Sequence, residues 1–270
     1  MKNKQNLHIH TNLCDGLDTP DEIIASALSA GFESIGFSGH SYMSYTDYLG
    51  DTDRTEEYKC EISKLKKIYN DRIEVYLGLE VDMYSEPDMT GYDYLIGSVH
   101  YLKKDGEYIG FDRGEKVVES IISRYFGGNG MEYAKLYYKT LAELPQYGNF
   151  DIIGHFDLIT KHSDNRCFFD EASKEYLSAA FEAAEALAGK IPLFEVNTGA
   201  IARGYRKTPY PSIPIIKRLK ELGFGAVITS DCHNKAMIDC YFDEAAELLE
   251  FCGFKEKYIL TEKGFVAVPL

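Results

Sequence analysis

Seven short apolar runs alternate with amphipathic segments along this chain. The runs are NLHIHT, SIGFSGH, EVYLGLEVD, DYLIGSVHY, DIIGHFDL, PLFEVNT and GAVITSDCH. Turn-forming residues bound these runs, which predicts that each is a strand. Strands that alternate with helices pair in parallel through right-handed crossovers. The pattern therefore predicts an α/β fold built on seven mostly parallel strands.

Segments with helical spacing occupy the intervals between the runs. In the first of them Thr19 and Glu22 can form a capping box, Pro20 suits the first helical position and Gly31 ends the helix. We predict further helices at RTEEYKCEISKLKKIY, from Glu115 to about Leu144, and at DEASKEYLSAAFEAAEALAG, SIPIIKRLKELG and DEAAELLEFCG. Because no linker or repeat divides the 270 residues, we expect residues 1–270 to form one domain.

Most of the histidines stand in or at the carboxyl end of a predicted strand, together with three carboxylates. They are His8, His10, His40, His100, His155 and His233, with Asp15, Glu80 and Asp231. The carboxyl ends of parallel strands meet at one edge of a sheet or barrel, where such folds build their sites. One histidine at a strand end usually has a structural role, but this set predicts a metal site. The seventh histidine, His162, lies in the polar sequence ITKHSDNRC and is predicted to be a solvated residue.

Strand geometry gives two pairs of these residues a common direction. His8 and His10 are two residues apart and therefore point to the same face of their strand. Asp231 and His233 repeat this arrangement around Cys232. We therefore expect the Cys232 side chain to point away from the site.

The composition limits the partners of the protein. Asp and Glu total 43 against 29 Lys and Arg, a net charge of -14, and no basic stripe with interleaved aromatic residues is present. A nucleic-acid partner is therefore not expected. No run is long enough to span a bilayer and the six cysteines form no CxxC pair, so we expect a cytoplasmic protein with free thiols and no membrane partner.

Mixed histidine and carboxylate ligands suit zinc, manganese or ferrous iron. Nine candidates are too many for one tetrahedral ion, and two or three ions that share a bridging carboxylate would use them. Such a cluster lowers the pKa of bound water from about 16 to about 7 and holds the oxygens of a phosphate ester. Hydrolysis is the reaction type that these residues predict.

Six motifs in order carry a resemblance to a known family. HIHT with Asp15, GFSGH, GLEVD, GSVHY, GHFD and TSDCH resemble the motifs of the polymerase and histidinol phosphatase (PHP) superfamily. EVNTGAIARGYRKTPYPS is similar to a segment typical of its histidinol-phosphate phosphatase family. The resemblance implies a distorted (β/α)7 barrel with the active site at the C-terminal ends of the strands. It also implies a phosphoric monoester hydrolase of histidine biosynthesis that converts L-histidinol phosphate to L-histidinol and phosphate.

The resemblance further implies a centre of three divalent metal ions, Zn, Mn or Fe. The first would be held by His8, His10, Glu80 and Asp231, the second by Glu80, His100 and His155, and the third by Asp15, His40 and His233. Glu80 bridges the first two ions in this scheme and is therefore a catalytic residue, since a hydroxide between those ions would attack phosphorus. Some family members have histidine where this chain has Asp15.

Charged residues in the later loops are candidates for contacts with the substrate. Arg203, Arg206 and Lys161 follow the sixth and fifth strands, and their charges can hold a phosphate; the alternative for each is an exposed cation. Asp157 is the candidate proton donor, with a metal-bound water as the alternative donor. A third possibility is that Asp157 orients a ligand imidazole. The Tyr-rich segment GHSYMSYTDYLGD is a candidate lid.

Other functions are compatible with the same motifs. A related phosphoesterase would act on another small phosphomonoester, on a nucleotide or on a phosphotyrosine protein. A non-catalytic metal-binding domain is the alternative from another class. Its signature would be lost ligand positions, and none is lost in this sequence.

Overall fold

Strands and helices alternate in the computed structural model, which describes residues 3–46 and 52–270. The strands are β1 (Gln5–Asn6), β2 (Ser34–Phe37), β3 (Glu74–Asp82), β4 (Tyr94–Ser98), β5 (Tyr101–Lys104), β6 (Glu107–Gly110), β7 (Ile152–Ile153), β8 (Leu193–Asn197), β9 (Gly225–Thr229), β10 (Glu256–Thr261) and β11 (Gly264–Pro269). The α-helices are α1 (Pro20–Ser29), α2 (Thr55–Tyr69), α3 (Glu115–Phe126), α4 (Gly130–Leu141), α5 (Lys174–Leu187), α6 (Gly199–Ala202), α7 (Ile213–Glu221) and α8 (Phe242–Phe251). Short 3-10 helices lie at Leu144–Gln146, Leu158–Thr160 and Lys235–Met237.

The seven predicted strands form one sheet in the order β1-β2-β3-β4-β7-β8-β9. Each neighbouring pair is parallel. A bridge between Ile9 and Cys232 joins the first strand to the last: His10 N donates to Cys232 O at 2.8 Å, and Cys232 N donates to His8 O at 3.0 Å. The sheet therefore nearly closes into an α/β barrel of seven strands, which confirms the predicted fold class.

Tyr94 fills the interior of the barrel. Its buried hydroxyl donates to the carbonyl oxygens of Leu7 and Phe37, at 2.5 and 3.2 Å. Gly78 on the neighbouring strand leaves room for the ring, because a Cβ at this position would lie 2.2 Å from Cζ of Tyr94. The interior of the barrel is therefore a packed core, and such barrels build their sites at the carboxyl ends of the strands.

Gly78→Ala is expected to lower the free energy of unfolding by about 1–3 kcal/mol, because an extra methyl group in a packed interior forces its neighbours to move. Urea denaturation measures this change. The same substitution at Gly114, where an added Cβ meets no atom within 4 Å, is expected to cost less than about 1 kcal/mol. Equal losses at the two glycines would contradict this description of the interior.

The helices pack on the outside of the barrel, largely where the sequence predicts them. Thr19 and Glu22 form the predicted capping box at the start of α1. The stretch predicted as one helix from Glu115 to about Leu144 is instead two helices, α3 and α4, because Gly127 and Gly128 take positive φ values of 58° and 85° between them. Among the helices of the described residues, none has the length and apolar character needed to cross a membrane.

Two antiparallel hairpins add to the predicted elements. β5 pairs with β6 around Asp105 and Gly106, which both have positive φ, and β10 pairs with β11. The second hairpin covers the amino end of the barrel: Gln5 Nε2 donates to Leu260 O at 2.9 Å, and Leu260 N donates to Gln5 Oε1 at 2.7 Å. The opposite, carboxyl end carries the histidines.

Candidate metal centre

The nine predicted ligands lie together at the carboxyl ends of the barrel strands. Seven of them line one cavity of about 370 Å³: Asp15, His40, Glu80, His100, His155, Asp231 and His233. The other two, His8 and His10, directly follow β1 and are fully buried. Ile9 between them packs in the hydrophobic core, so the two imidazoles share one direction as strand geometry predicts.

The carboxylate of Glu80 is central to this cluster. Its Oε2 lies 2.9 Å from His40 Nδ1, 3.3 Å from His8 Nε2 and 3.5 Å from His10 Nε2. Glu80 occupies an inward position on β3 and is 1% exposed. One oxygen of a buried carboxylate is therefore shared by three imidazoles from two other strands.

The second oxygen of Glu80 faces another pair of imidazoles. Oε1 lies 3.1 Å from His155 Nε2 and 3.4 Å from His100 Nε2, and these two nitrogen atoms are 3.1 Å apart. Burial alone would raise the pKa of Glu80, but the surrounding histidines, His8 first among them, hold it well below its usual value. Glu80 is therefore an ionised carboxylate that can bridge two groups of nitrogen ligands.

Asp231 lies on the other side of the two histidines that follow β1. Its Oδ1 is 3.3 Å from His10 Nε2 and 3.7 Å from His8 Nε2. Arg203 Nη2 donates to its other oxygen, Oδ2, at 2.9 Å. Burial would raise the pKa of Asp231, yet the Arg203 charge and the neighbouring histidines lower it well below its usual value. Asp231 also has a positive φ of 47°, which turns the chain after β9 toward the site.

Asp15 lies beside the remaining histidines, in the loop that follows β1. Its Oδ2 is 3.1 Å from His233 Nε2 and 3.5 Å from His40 Nε2, while Oδ1 is 3.3 Å from His10 Nδ1. The rings of His10 and His233 stack at 4.1 Å between centroids. This group is the most exposed part of the cluster, with the side chain of His233 25% accessible.

The donor atoms fit divalent cations. Three groups of closely spaced ligand atoms are present: His10, Asp15, His40 and His233; His8, His10 and Asp231; and His40, Glu80 and His100. Within the described part of the chain, the buried atoms His8 Nε2, His10 Nε2 and Glu80 Oε2 lie close together but make no hydrogen bond of suitable geometry. Buried polar atoms are rarely left unsatisfied, and a cation between them would satisfy all three.

Two further buried carboxylates, neither of them predicted from the sequence, touch the ligand imidazoles. Glu195 Oε2 lies 2.8 Å from His8 Nδ1. Asp82 Oδ2 lies 3.3 Å from His100 Nδ1 and accepts a hydrogen bond from His100 N at 3.1 Å. An acidic residue at an inward position of an apolar strand was the available signal, since Asp82 has the same strand parity as Glu80.

A cationic wall lines the same cavity as the ligands. We use this name for Arg113, Lys161 and Arg203, which all line it. Lys161 Nζ donates to Asp112 Oδ1 at 2.6 Å and lies 4.6 Å from the centre of the Tyr205 ring. Arg203 and Lys161 are thus placed where the sequence predicts substrate contacts, whereas Arg113 was not predicted. A cavity that is lined by acidic and imidazole ligands and also by cations suits a metal-bound phosphate ester.

Arg206 is placed away from this wall. It is not among the described residues that line the cavity, and it is 8% exposed, so the alternative of an exposed cation is wrong. Its guanidinium donates to the carbonyl oxygen of Thr160 at 3.0 Å and to Glu171 at 3.4 Å. These contacts hold the loop after β8 against the segment after β7 and give no support to a phosphate clamp.

Asp157 is also not among the described residues that line the cavity, although the next residue, Leu158, is. The strand pattern predicts that Asp157 and His155 point to the same face. This prediction is wrong because β7 ends at Ile153 and the chain then turns into a 3-10 helix. Asp157 Oδ2 accepts a hydrogen bond from Ser212 N at 2.9 Å. Burial raises the pKa of Asp157 to about 6, with Arg206 acting in the opposite direction. The carboxyl group of Asp157 therefore contacts the backbone at the start of α7.

His162 is buried, at 5% exposure, and the prediction of a solvated residue was wrong. The turn after the 3-10 helix Leu158–Thr160 brings His162 Nε2 within 2.6 Å of the carbonyl oxygen of Arg113. Cys232 packs in the hydrophobic core, away from the site as predicted, and the six cysteines are free. Residues 47–51 of the predicted lid lie outside the described residues.

A nearly closed parallel barrel with a cluster of histidines and carboxylates at its strand ends is the arrangement of a metal-dependent hydrolase. Residues 6–199 match the model of the PHP domain family. The chain belongs to the PHP domain family.

Relatives match over most of their length. A probable histidinol-phosphatase of Deinococcus radiodurans is 30% identical over 91% of this chain and 92% of that protein. A histidinol-phosphatase of Bacillus subtilis is 28% identical over 86% of this chain and 94% of that protein. A similar fold is found in the crystal structure of histidinol phosphate phosphatase from Lactococcus lactis, complexed with zinc, L-histidinol and phosphate. The TM-score is 0.75, and the alignment covers 98% of this chain and 99% of that chain at 22% sequence identity. This last similarity confirms the fold.

Proposed function

We propose that this protein is a phosphoric monoester hydrolase that converts L-histidinol phosphate to L-histidinol and phosphate. The observation that carries the proposal is the cavity that is lined both by seven of the nine ligand candidates and by the cationic wall. Its volume of about 370 Å³ suits a small phosphate ester. The relatives named histidinol-phosphatase, which match about nine-tenths of the chain, support this substrate.

The metal centre that we propose takes three divalent ions, with zinc, manganese or iron as candidates. When bound, such ions lower the pKa of water and neutralise the negative charge of a phosphate. Glu80 would bridge two of the ions, with His8, His10 and Asp231 on one side. His100 and His155 would complete the second position, and Asp15, His40 and His233 the third.

The residues of this chain have separate tasks in the reaction. Glu80 keeps two groups of imidazoles together through its two oxygens. Arg203 and Lys161 bind and orient the phosphate from the cationic wall. Arg206 and Asp157 support the loops from behind, through Thr160 and Ser212 respectively. We therefore assign Asp157 a supporting role and not proton transfer.

Removal of bound metal with a chelator is expected to abolish turnover of histidinol phosphate, and zinc, manganese or iron should restore it. Steady-state kinetics on each reloaded sample test the substrate and the metal together. We expect kcat/KM for histidinol phosphate to exceed that for a nucleotide monophosphate or a tyrosine phosphopeptide by at least about tenfold, because the cavity would be matched to its polar groups. A higher kcat/KM for either competitor would assign the protein to another phosphoesterase specificity.

A further inference from the structure

We propose that Glu195 is a positioning residue that fixes the tautomer of His8 and so directs His8 Nε2 into the metal centre. Glu195 lies on β8, is fully buried and is not part of the three ligand groups. This inference rests on the metal centre proposed above and is independent of the identity of the substrate.

The carboxylate of Glu195 accepts four hydrogen bonds, three from neighbouring segments and one from its own strand. Oε2 lies 2.8 Å from His8 Nδ1 and accepts from Thr229 Oγ1 at 2.8 Å. Oε1 accepts from the backbone N–H of His155 at 2.6 Å and from Asn197 Nδ2 at 2.8 Å. Each lone-pair direction of this buried group is used, so its orientation is fixed.

Two of these four groups can act only as hydrogen-bond donors to Glu195. The backbone N–H of His155 can only donate. Asn197 Oδ1 accepts a hydrogen bond from Gly199 N at 2.9 Å, which turns the Nδ2 group of Asn197 toward Glu195. These two donors fix Oε1 as an acceptor, and an ionised carboxylate accepts at Oε2 as well, so His8 Nδ1 carries the proton of the contact with Oε2. The other ring nitrogen, Nε2, lies 3.3 Å from Glu80 Oε2 and is the atom left to bind a cation.

Glu195→Gln tests this arrangement without a change of shape. An amide offers one acceptor and one pair of donors. Because the fixed donors of His155 and Asn197 require the amide oxygen, the NH₂ group would face His8 Nδ1. His8 would then accept at Nδ1 and carry its proton on Nε2, where the proton excludes a cation.

We expect Glu195→Gln to bind zinc 10–100-fold more weakly than the wild-type protein, the range typical for loss of a partner that orients a ligand histidine. Competition with a chromophoric chelator measures the affinity, and circular dichroism of the metal-free samples checks that both are folded. Asp151→Asn is the matched control. Asp151 accepts a hydrogen bond from Leu95 N at 2.8 Å at the amino end of the barrel, and an amide keeps that acceptor. This control should bind zinc like the wild type.

Wild-type zinc affinity in folded Glu195→Gln would overturn the inference, whereas a wild-type protein that binds no zinc would contradict the metal centre itself. A second measurement needs no altered Glu195. In the zinc-loaded wild-type protein, long-range ¹H–¹⁵N spectra should show a proton on His8 Nδ1, with the signal assigned by its loss in His8→Asn. A His8 Nδ1 without a proton would overturn the inference even if Glu195→Gln failed to fold.

Discussion

Glu80→Gln is expected to lower kcat/KM for histidinol phosphate by more than about 100-fold and to reduce the amount of bound metal. Loss of a residue that only orients a ligand already costs 10–100-fold. Glu80 contacts five imidazoles directly, through both carboxylate oxygens. An amide retains the shape of the side chain but removes the negative charge that two cations would share.

The control for this variant is Glu61→Gln, which changes a partly exposed carboxylate on α2 that pairs with Lys64. It should have wild-type kinetics and metal content. Turnover and metal content are measured on the same samples, after circular dichroism has confirmed folding. Near-normal values of both in folded Glu80→Gln would contradict the role of Glu80 as a bridging ligand.

Arg203→Met is expected to reduce kcat/KM by about 10²–10⁴-fold, with a rise in KM. Hydrogen bonds to charged groups contribute about 1.5–3 kcal/mol each, and the guanidinium can offer two to a phosphate. Arg203 also donates to the backbone oxygen and to Oδ2 of Asp231, both at 2.9 Å. Its removal therefore weakens the cationic wall and leaves Asp231 less well held.

Two comparison variants separate these effects. Arg203→Lys keeps the charge but loses the paired donors, so its kcat/KM should fall between those of Arg203→Met and the wild type. Arg218→Met removes a cation on α7 that pairs with Glu185 and Glu221, and should have wild-type kinetics. Michaelis–Menten kinetics with histidinol phosphate measure all three. An unchanged KM and kcat in Arg203→Met would remove Arg203 from the substrate site.

The sequence predicted the grouping of the nine ligand candidates because that grouping depends on strand order and strand parity. Ile9 faces the core while His8 and His10 face the site, as alternation requires. The same reasoning failed where the chain leaves the sheet. Asp157 follows a strand of only two residues, and parity cannot be extended beyond Ile153.

Features that depend on tertiary contacts could not be predicted from sequence patterns. His162 lies in a polar stretch of sequence, yet a turn buries it against the carbonyl group of Arg113. Arg206 is an arginine in the same loop as Arg203, but its guanidinium donates hydrogen bonds to Thr160 and Glu171. Loop packing decides which of two nearby arginines faces a cavity. The composition and spacing of the sequence do not reveal that packing.

The bridge between Ile9 and Cys232 has a consequence for the order in which the protein folds and takes up metal. The strands that it joins are far apart in sequence: the hydrogen bond of Asn6 to Ser230 spans 224 positions. Closing so long a loop costs chain entropy that the contacts recover only once the intervening strands have paired. During synthesis His8 and His10 emerge long before Asp231, so the ligand group that contains all three residues is completed late. We therefore expect tight metal capture to accompany barrel closure, so that loading with metal marks the end of folding.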